Sequence, residues 1–275
     1  QKLILIIMKN ANIYCLSLNN ELLKKIKDLN YIPVGLGNDN FSDSWLRDNT
    51  GENISQKNNF YAEYTFHYWF WKNEINKIPE NVWIGFCTYR RFWKSTREEE
   101  KVYKNFSEKI IQEIPQEWKE YDTILGDHIE LKFKLMKILK YGKKAILNNP
   151  KAIFSKKHRN IKFHFDMFHG VGLLDKAIDL LEDEDREHFR NFVNNNNSFN
   201  KATMFVCKSK DLINNYYQTV FKWLSKCEQF IGFNLEGYNQ VRMYAFLAER
   251  FMPYWFKKNS KVLEWPIIFD DLNKY

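Results

Sequence analysis

The sequence predicts an α/β fold: a parallel sheet with the look of a nucleotide-binding half, followed by a mostly helical C-terminal half. Three observations carry this. The chain opens on a strand–helix–strand pattern. Two further apolar runs end abruptly in Arg-Arg and in Gly-Asp-His. Long 3.6-residue periodicities then dominate the second half.

The elements follow in order. Residues 12–18 (NIYCLSL) read as a strand, and residues 20–29 place Leu22, Leu23, Ile26 and Leu29 on one helical face. Residues 31–36 form a second strand, ended by Gly37. The polar stretch 38–59 is too long for a plain connection, which marks it as functional. The aromatic block 60–73 (FYAEYTFHYWFWKN) reads as a core helix, capped by Asn58 or Asn59. A buried strand at 81–89 runs into Arg90-Arg91, and 103–114 reads as a helix. Residues 121–125 are a strand ending in Gly126-Asp127-His128. Residues 130–141 form a basic amphipathic helix, 175–193 a helix with an acidic stretch at 182–185, and 194–197 a loop. A strand at 202–207 precedes a helix at 211–230, and a last helix at 238–251 should stop at Pro253. Residues 262–269 return as a strand or lie extended. No internal repeat or interdomain linker interrupts the chain, so one α/β domain over residues 1–275 is expected, with halves of about 10–130 and 131–275.

Composition excludes several classes. The 275 residues weigh 33.4 kDa and include 47 aromatic side chains but only 10 Gly and 6 Pro, which rules out collagen-like, linker and disordered chains. The net charge of +8 comes from 33 Lys and only 9 Arg, beside 30 Asn. An AT-rich genome writes that composition by default, so codon bias accounts for the charge more readily than a nucleic-acid footprint. A basic face toward acidic lipid or an anionic donor is the weaker reading. Cys15, Cys87, Cys207 and Cys227 show neither CxxC spacing nor a disulfide framework, which points to a reducing, cytosolic setting. No run approaches the ~18 apolar residues of a membrane span. The apolar run 3–8 lacks a signal-peptide cleavage pattern, and Met8 is a candidate natural start.

Four places could carry chemistry. A polar loop feeding a helix start (Asn53, Ser55, Lys57, Asn58, then Tyr61 and Glu63) offers backbone N–H groups and a lysine to an anion. Glu63 and His67 share a helical face there. Composition alone favours an ordinary capping loop. Tyr89-Arg90-Arg91 at a strand's carboxyl end is sharper, because guanidinium groups suit phosphate and ligands bind at such ends. One of the two arginines should reach a ligand; the alternative is an ion pair with residues 98–100. Asn239, Arg242, Phe246 and Glu249 share one face of the last helix, where Glu249 is either a general base or half of a salt bridge. His164, Asp166 and His169 do not match helical metal spacing, so an acceptor-site or core role is preferred to a metal. Asp270-Asp271 and the 182–185 stretch read as solvated charge.

Residues 48–73 (DNTGENISQKNNFYAEYTFHYWFWKN) and 83–93 (WIGFCTYRRFW) resemble the two signature blocks of a bacterial capsular-polysaccharide-biosynthesis family, long catalogued as a domain of unknown function. The matches are Gly51, Asn53, Ile54, Ser55, Lys57, Asn58, Tyr61, Glu63, Thr65, Tyr68, Trp69, Trp71, Lys72 and Asn73, then Tyr89, Arg90, Arg91 and Phe92. Met204-Phe205-Val206 and Ala248-Glu249-Arg250 with Trp255 continue the likeness more weakly. Thr88 and Thr203 depart from it, standing where the family usually has His and Asn. The resemblance implies a GT-A-like mixed sheet with a Rossmann-like N-terminal half. It implies a glycosyltransferase of the hexosyltransferase type, galactofuranosyltransferases of lipopolysaccharide or capsule assembly included. The donor would be a UDP-sugar and the acceptor an oligosaccharide or lipid-linked glycan.

On that reading Asn53, Ser55, Lys57, Asn58, Tyr61, Glu63, Tyr89, Arg90 and Arg91 bind the donor. Glu249 is the first candidate base and Asp127 the second, while Asp166, His169 and Arg242 contact the acceptor. The reaction is expected to invert the anomeric centre and to need no metal, with Mn²⁺ or Mg²⁺ as the alternative. An arginine would stabilise the leaving diphosphate in the place of the metal. A cytoplasmic enzyme is expected. Peripheral contact with the inner membrane through Lys132, Lys134, Lys137, Lys140, Lys143 and Lys144 is weighed against a solvated helix face. The competing classes are a non-catalytic glycan- or nucleotide-binding module and a nucleic-acid-binding protein. The second lacks any RNA-binding motif, and no nucleic-acid partner is expected.

Overall fold

Alternation along the first strand sets the two faces of the sheet. In β1 (Ala11–Ser17), Tyr14 and Leu16 enter the larger core, while Ala11, Ile13 and Cys15 enter the smaller one. This is a computed structural model that describes residues 10–98, 102–131, 133 and 135–274. The run 3–8 with Met8, residues 99–101, Lys132 and Lys134 lie outside the described residues.

β1 pairs in parallel with β2 (Ile32–Gly35) on one side, and β2 with β3 (Leu46–Arg47). On its other side β1 pairs in parallel with β4 (Trp83–Thr88). β5 (Arg91–Trp93) turns back on β4. β6 (Thr123–Gly126) leads into β7 (His128–Glu130), which forms a separate ribbon with β8 (Ser198–Asn200). β9 (Phe205–Cys207) lies antiparallel between β4 and β6. β10 (Val262–Trp265) closes the sheet beside β6, and β11 (Ile267–Phe269) pairs with β5. The order is therefore β3–β2–β1–β4–β9–β6–β10. β9 runs against its neighbours, so its first residues sit at the edge where β1, β2, β4 and β6 end.

The larger core joins the sheet to the helices. Phe66, Phe70 and Phe86 pack with Tyr216, Tyr217, Phe251 and Phe256, and the cluster extends to Phe165 and Phe189. Aromatic rings make most of these contacts, which explains how so heavy a sequence fills its interior. The smaller core centres on Trp118, buried edge-on against Trp93 and Trp265. Gly85 permits a close approach within the sheet: a Cβ there would sit 2.6 Å from Ile13 Cδ1 and 2.8 Å from Val206 Cγ2.

Several elements differ from expectation. The aromatic helix is broken into Asn58–Tyr61 and Tyr64–Asn73 at Ala62, whose φ of 47° no helix accommodates. The helix expected at 103–114 shrinks to Phe106–Lys109, because Ile110 bridges to Lys94 as extended chain. The basic helix spans only Leu135–Tyr141, since residues up to Glu130 are claimed by β7. The acidic helix is two, Leu173–Asp179 and Asp183–Asn195. The last helix, Met243–Asn259, continues through Pro253. The proline removes one hydrogen bond, but residues Phe251–Phe256 are all buried, and their packing outweighs that loss.

Candidate functional site

The signature loop is built first of all to hold itself. Asn53 Oδ1 accepts from Ser55 N at 3.2 Å and Ser55 Oγ at 2.8 Å. Asn73 Nδ2 donates to Glu52 O at 2.8 Å, and Trp69 Nε1 to Thr50 Oγ1 at 3.1 Å. Gly51 has φ +56°, and a Cβ there would strike Asn73 Oδ1. Asn58 Nδ2 donates to Ala62 O and to Thr65 Oγ1, both at 3.1 Å, and so pins the strained turn. Lys57 Nζ lies 2.7 Å from Glu228, and Tyr61 donates to the same carboxylate at 2.7 Å. Glu63 begins the Tyr64–Asn73 helix as its N-cap. Its carbonyl accepts from His67 N at 3.4 Å, while the His67 imidazole turns to Tyr217, with Nδ1 2.7 Å from the hydroxyl.

Of the donor-loop residues, Ser55 faces a cavity of about 380 Å³ at the carboxyl ends of β2 and β3, shared with Gly37, Arg47, Asp48 and Gln56. Sequence reasoning missed Arg47 and Asp48, because they lay inside a stretch read as polar loop. The signal was there: Trp45-Leu46 leads into charge just as the strand at 83–88 leads into Arg90-Arg91. Arg47 donates to Gly37 O at 2.8 Å and lies over the Phe41 ring. Asp48 is 2% exposed, and its Oδ2 has no hydrogen-bond partner among the described residues. Burial pushes its carboxyl above the usual range, opposed by the Thr65 hydroxyl and Arg47.

The arginine turn follows β4 directly. Tyr89 N donates to Leu16 O at 3.0 Å, fixing the turn beside the end of β1. Arg90 Nε donates to Asp271 at 2.9 Å, and Arg91 lies 6.0 Å from the Phe269 ring. Asp270 N and Leu272 N donate to the carbonyls of Arg90 and Tyr89. Asp270-Asp271, expected to be free solvated charge, is thus an anchor of the turn; Asp270 also lies 3.8 Å from Lys109.

The two base candidates flank one segment. Glu249 accepts from Ala202 N at 2.9 Å and pairs with Arg250. Its side chain is 23% exposed. Burial raises the Asp127 carboxyl; the Ile267 N–H at 3.4 Å, and then the charge of Lys201, work against that. Ala202 stands three residues before β9 and Asp127 directly after β6, at the same sheet edge as the arginine turn. Ala202 itself takes a left-handed φ of 68°. Arg250 is buried between Glu249, His164 and His169, with each imidazole 3.4 Å from Nη2.

The expected acceptor residues separate. Asp166 is buried, 2.7 Å from Lys162 and 3.0 Å from Gly172 N. His169 is buried and stacked on Phe246 at 4.0 Å; its Nδ1 lies 2.7 Å from Asn239 O. Burial and then Arg250 lower its pKa to about 3. Arg242 instead lines an open cleft of about 300 Å³ with Asn58, Asn59 and Tyr238. Among the described residues, no three His, Cys, Asp or Glu converge as metal ligands.

The profile of DUF4422, a domain of unknown function, matches residues 20–260. The chain belongs to this family. A comparison with curated protein sequences finds no match. Among solved structures, this DUF4422 chain is similar to the apo form of WbbM, a bifunctional glycosyltransferase, with a TM-score of 0.68 at 20% identity. The likeness covers 94% of this chain and 45% of that one, so the chain spans less than half of its neighbour's length. At this identity the comparison shows the fold, a GT-A-like mixed α/β sheet. No described helix of this DUF4422 member is long and apolar enough to cross a membrane.

Proposed function

We propose that the chain is a glycosyltransferase that moves a sugar from a nucleotide-sugar donor to a glycan acceptor. One observation carries this. The buried Asp48 cavity, the Arg90-Arg91 turn and Glu249 with its Ala202 contact all lie on one edge of the sheet, where the parallel strands end and β9 begins. Ligands of open α/β sheets bind outside that edge.

The nucleotide would lie across β1, β2 and β4. The Asp48–Arg47 cavity takes its base and ribose, and the diphosphate faces the arginine turn. A departing diphosphate is stabilised by fixed positive charge, and Arg91 is the better placed donor because Arg90 is occupied by Asp271. Glu249 removes the acceptor hydroxyl proton as the sugar's anomeric bond to phosphate breaks and the new glycosidic bond forms. Arg250 and the Ala202 amide orient it. Arg242 and the cleft beside Tyr238 are the proposed acceptor side. A UDP-sugar, an inverting course, a metal-independent reaction and a surface polysaccharide or lipid-linked acceptor belong to the same reading. With Arg90 held by Asp271, Arg91 is the guanidinium left at the proposed diphosphate site, which suits charge neutralisation by arginine.

Thermal stabilisation by UDP and a panel of UDP-sugars, each with EDTA and then with Mn²⁺, tests it. Stabilisation that survives EDTA and vanishes in Asp48→Asn supports the donor site as drawn. Stabilisation only with Mn²⁺ keeps the transferase but replaces the arginine role with a metal. No response to any nucleotide would overturn the reading.

A further inference from the structure

Residues 131–165 hold ten lysines, one arginine and no aspartate or glutamate. They contribute +11, so the other 240 residues sum to −3. Codon bias spreads lysine through a chain; it does not strip 35 consecutive residues of acid. The basicity of this protein is therefore local.

The same segment exposes its apolar side chains. It folds as the short helices Leu135–Tyr141, Lys143–Asn148 and Lys151–Phe154. Ile138, Ala145 and Ala152 face inward onto Phe163 and Met167, forming a small core of their own. That core fixes which side chains point out: Met136 is 78%, Leu147 84% and Phe154 88% exposed. Lys143, Lys144, Lys151, Lys156 and Lys157 are exposed among them, and none of these five is ion-paired among the described residues. By contrast, exposed Lys222 and Lys226 in the later helix Lys210–Ile231 are neutralised by Glu182.

We propose that this face seats the protein on an anionic lipid surface. Lysine ammonium groups meet lipid phosphates while Met136, Leu147 and Phe154 enter the boundary between headgroups and acyl chains. Either half alone would be weak; the two together supply the paired signals that stable peripheral binding needs. A nucleic acid fits the charge but fits the knobs less well, because two of the three, Met136 and Leu147, offer no ring on which bases could stack. The protein lies on the surface and does not cross it through these helices, which are too short. The inference stands apart from the transferase reading, since vesicle binding is measured without turnover.

The test is flotation with vesicles of phosphatidylcholine alone and of phosphatidylcholine containing roughly one-third phosphatidylglycerol. Binding only to the anionic vesicles is expected. Reversing Lys143, Lys144 and Lys151 to Glu should weaken it by roughly a hundredfold. Leu147→Ser with Phe154→Ser, which leaves the charge unchanged, should weaken it by about tenfold or more. All five positions are exposed, so the thermal midpoint should not move. Three outcomes would overturn the proposal: no binding to anionic vesicles, equal binding to neutral ones, or an unchanged affinity in the serine variant. An unchanged serine variant that also binds RNA or heparin as tightly as vesicles would mark a general polyanion site.

Discussion

Glu249 shows how one side chain can hold a structural and a chemical role at once. Its partner Arg250 is buried, and burial lowers the guanidinium's pKa while Glu249 supports its charged form. Removing the carboxylate leaves that charge unpaired, which typically costs about 3–5 kcal/mol. Removing a general base typically costs ~10²–10⁴ in kcat. Glu249→Gln should show both effects, and they separate experimentally. Thermal melting reads the first, and turnover per folded enzyme reads the second. If turnover falls only in proportion to the unfolded fraction, the carboxyl is structural and the base must be sought at Asp127. The sequence offered half of a salt bridge as one reading of Glu249, but it did not name the partners. Ala202 reaches Glu249, and His164 and His169 reach Arg250, from elements far away in the chain.

At the scale of elements, the strained turn between Asn58–Tyr61 and Tyr64–Asn73 explains the family signature. Ala62 sits at φ 47°, ψ −128°, a region that only glycine enters freely. Asn58 and Thr65 both bond the Ala62 carbonyl and hold the turn. Ala62→Gly should therefore raise stability by about 1 kcal/mol, read as a higher urea midpoint; a fall would mean that the turn is not strained. The sequence revealed the strand–helix–strand opening, β4 and its arginines, because each has a long period or an abrupt end. It hid β3 and the β7–β8 ribbon. Two or three residues carry no readable period, and their pairing is decided by partners distant in the chain.

The whole molecule carries an acid sensitivity that comes from its interior. His67 lies on the aromatic helix against the sheet, and His169 lies in the helical half; both are buried. Burial lowers His67 from 6.5 to about 3. Burial and then Arg250 lower His169 from 6.5 to about 3. An unfolded chain binds a proton at each histidine below 6.5, and the folded chain refuses it until about 3. The unfolded state thus holds more protons in that window, so stability is fully present above it and falls as the pH drops through it. Glu264 adds a second, lower step. Burial would raise its carboxyl, but His128 and Lys257 prevail and hold it at about 2, so its contribution is lost as the pH falls from 4.5 toward 2. The larger core runs without a break from Tyr64 and Phe66 to Phe165 and Phe189, so the two histidines report on one packed body. Acidification from neutral to about pH 5 should therefore lower the urea midpoint steadily, with near-UV and far-UV circular dichroism following the same curve. A midpoint that stays flat over that range would mean that water reaches both imidazoles. Two separated transitions would mean that the helical half and the sheet unfold independently, and that the buried aromatic interior does not couple them.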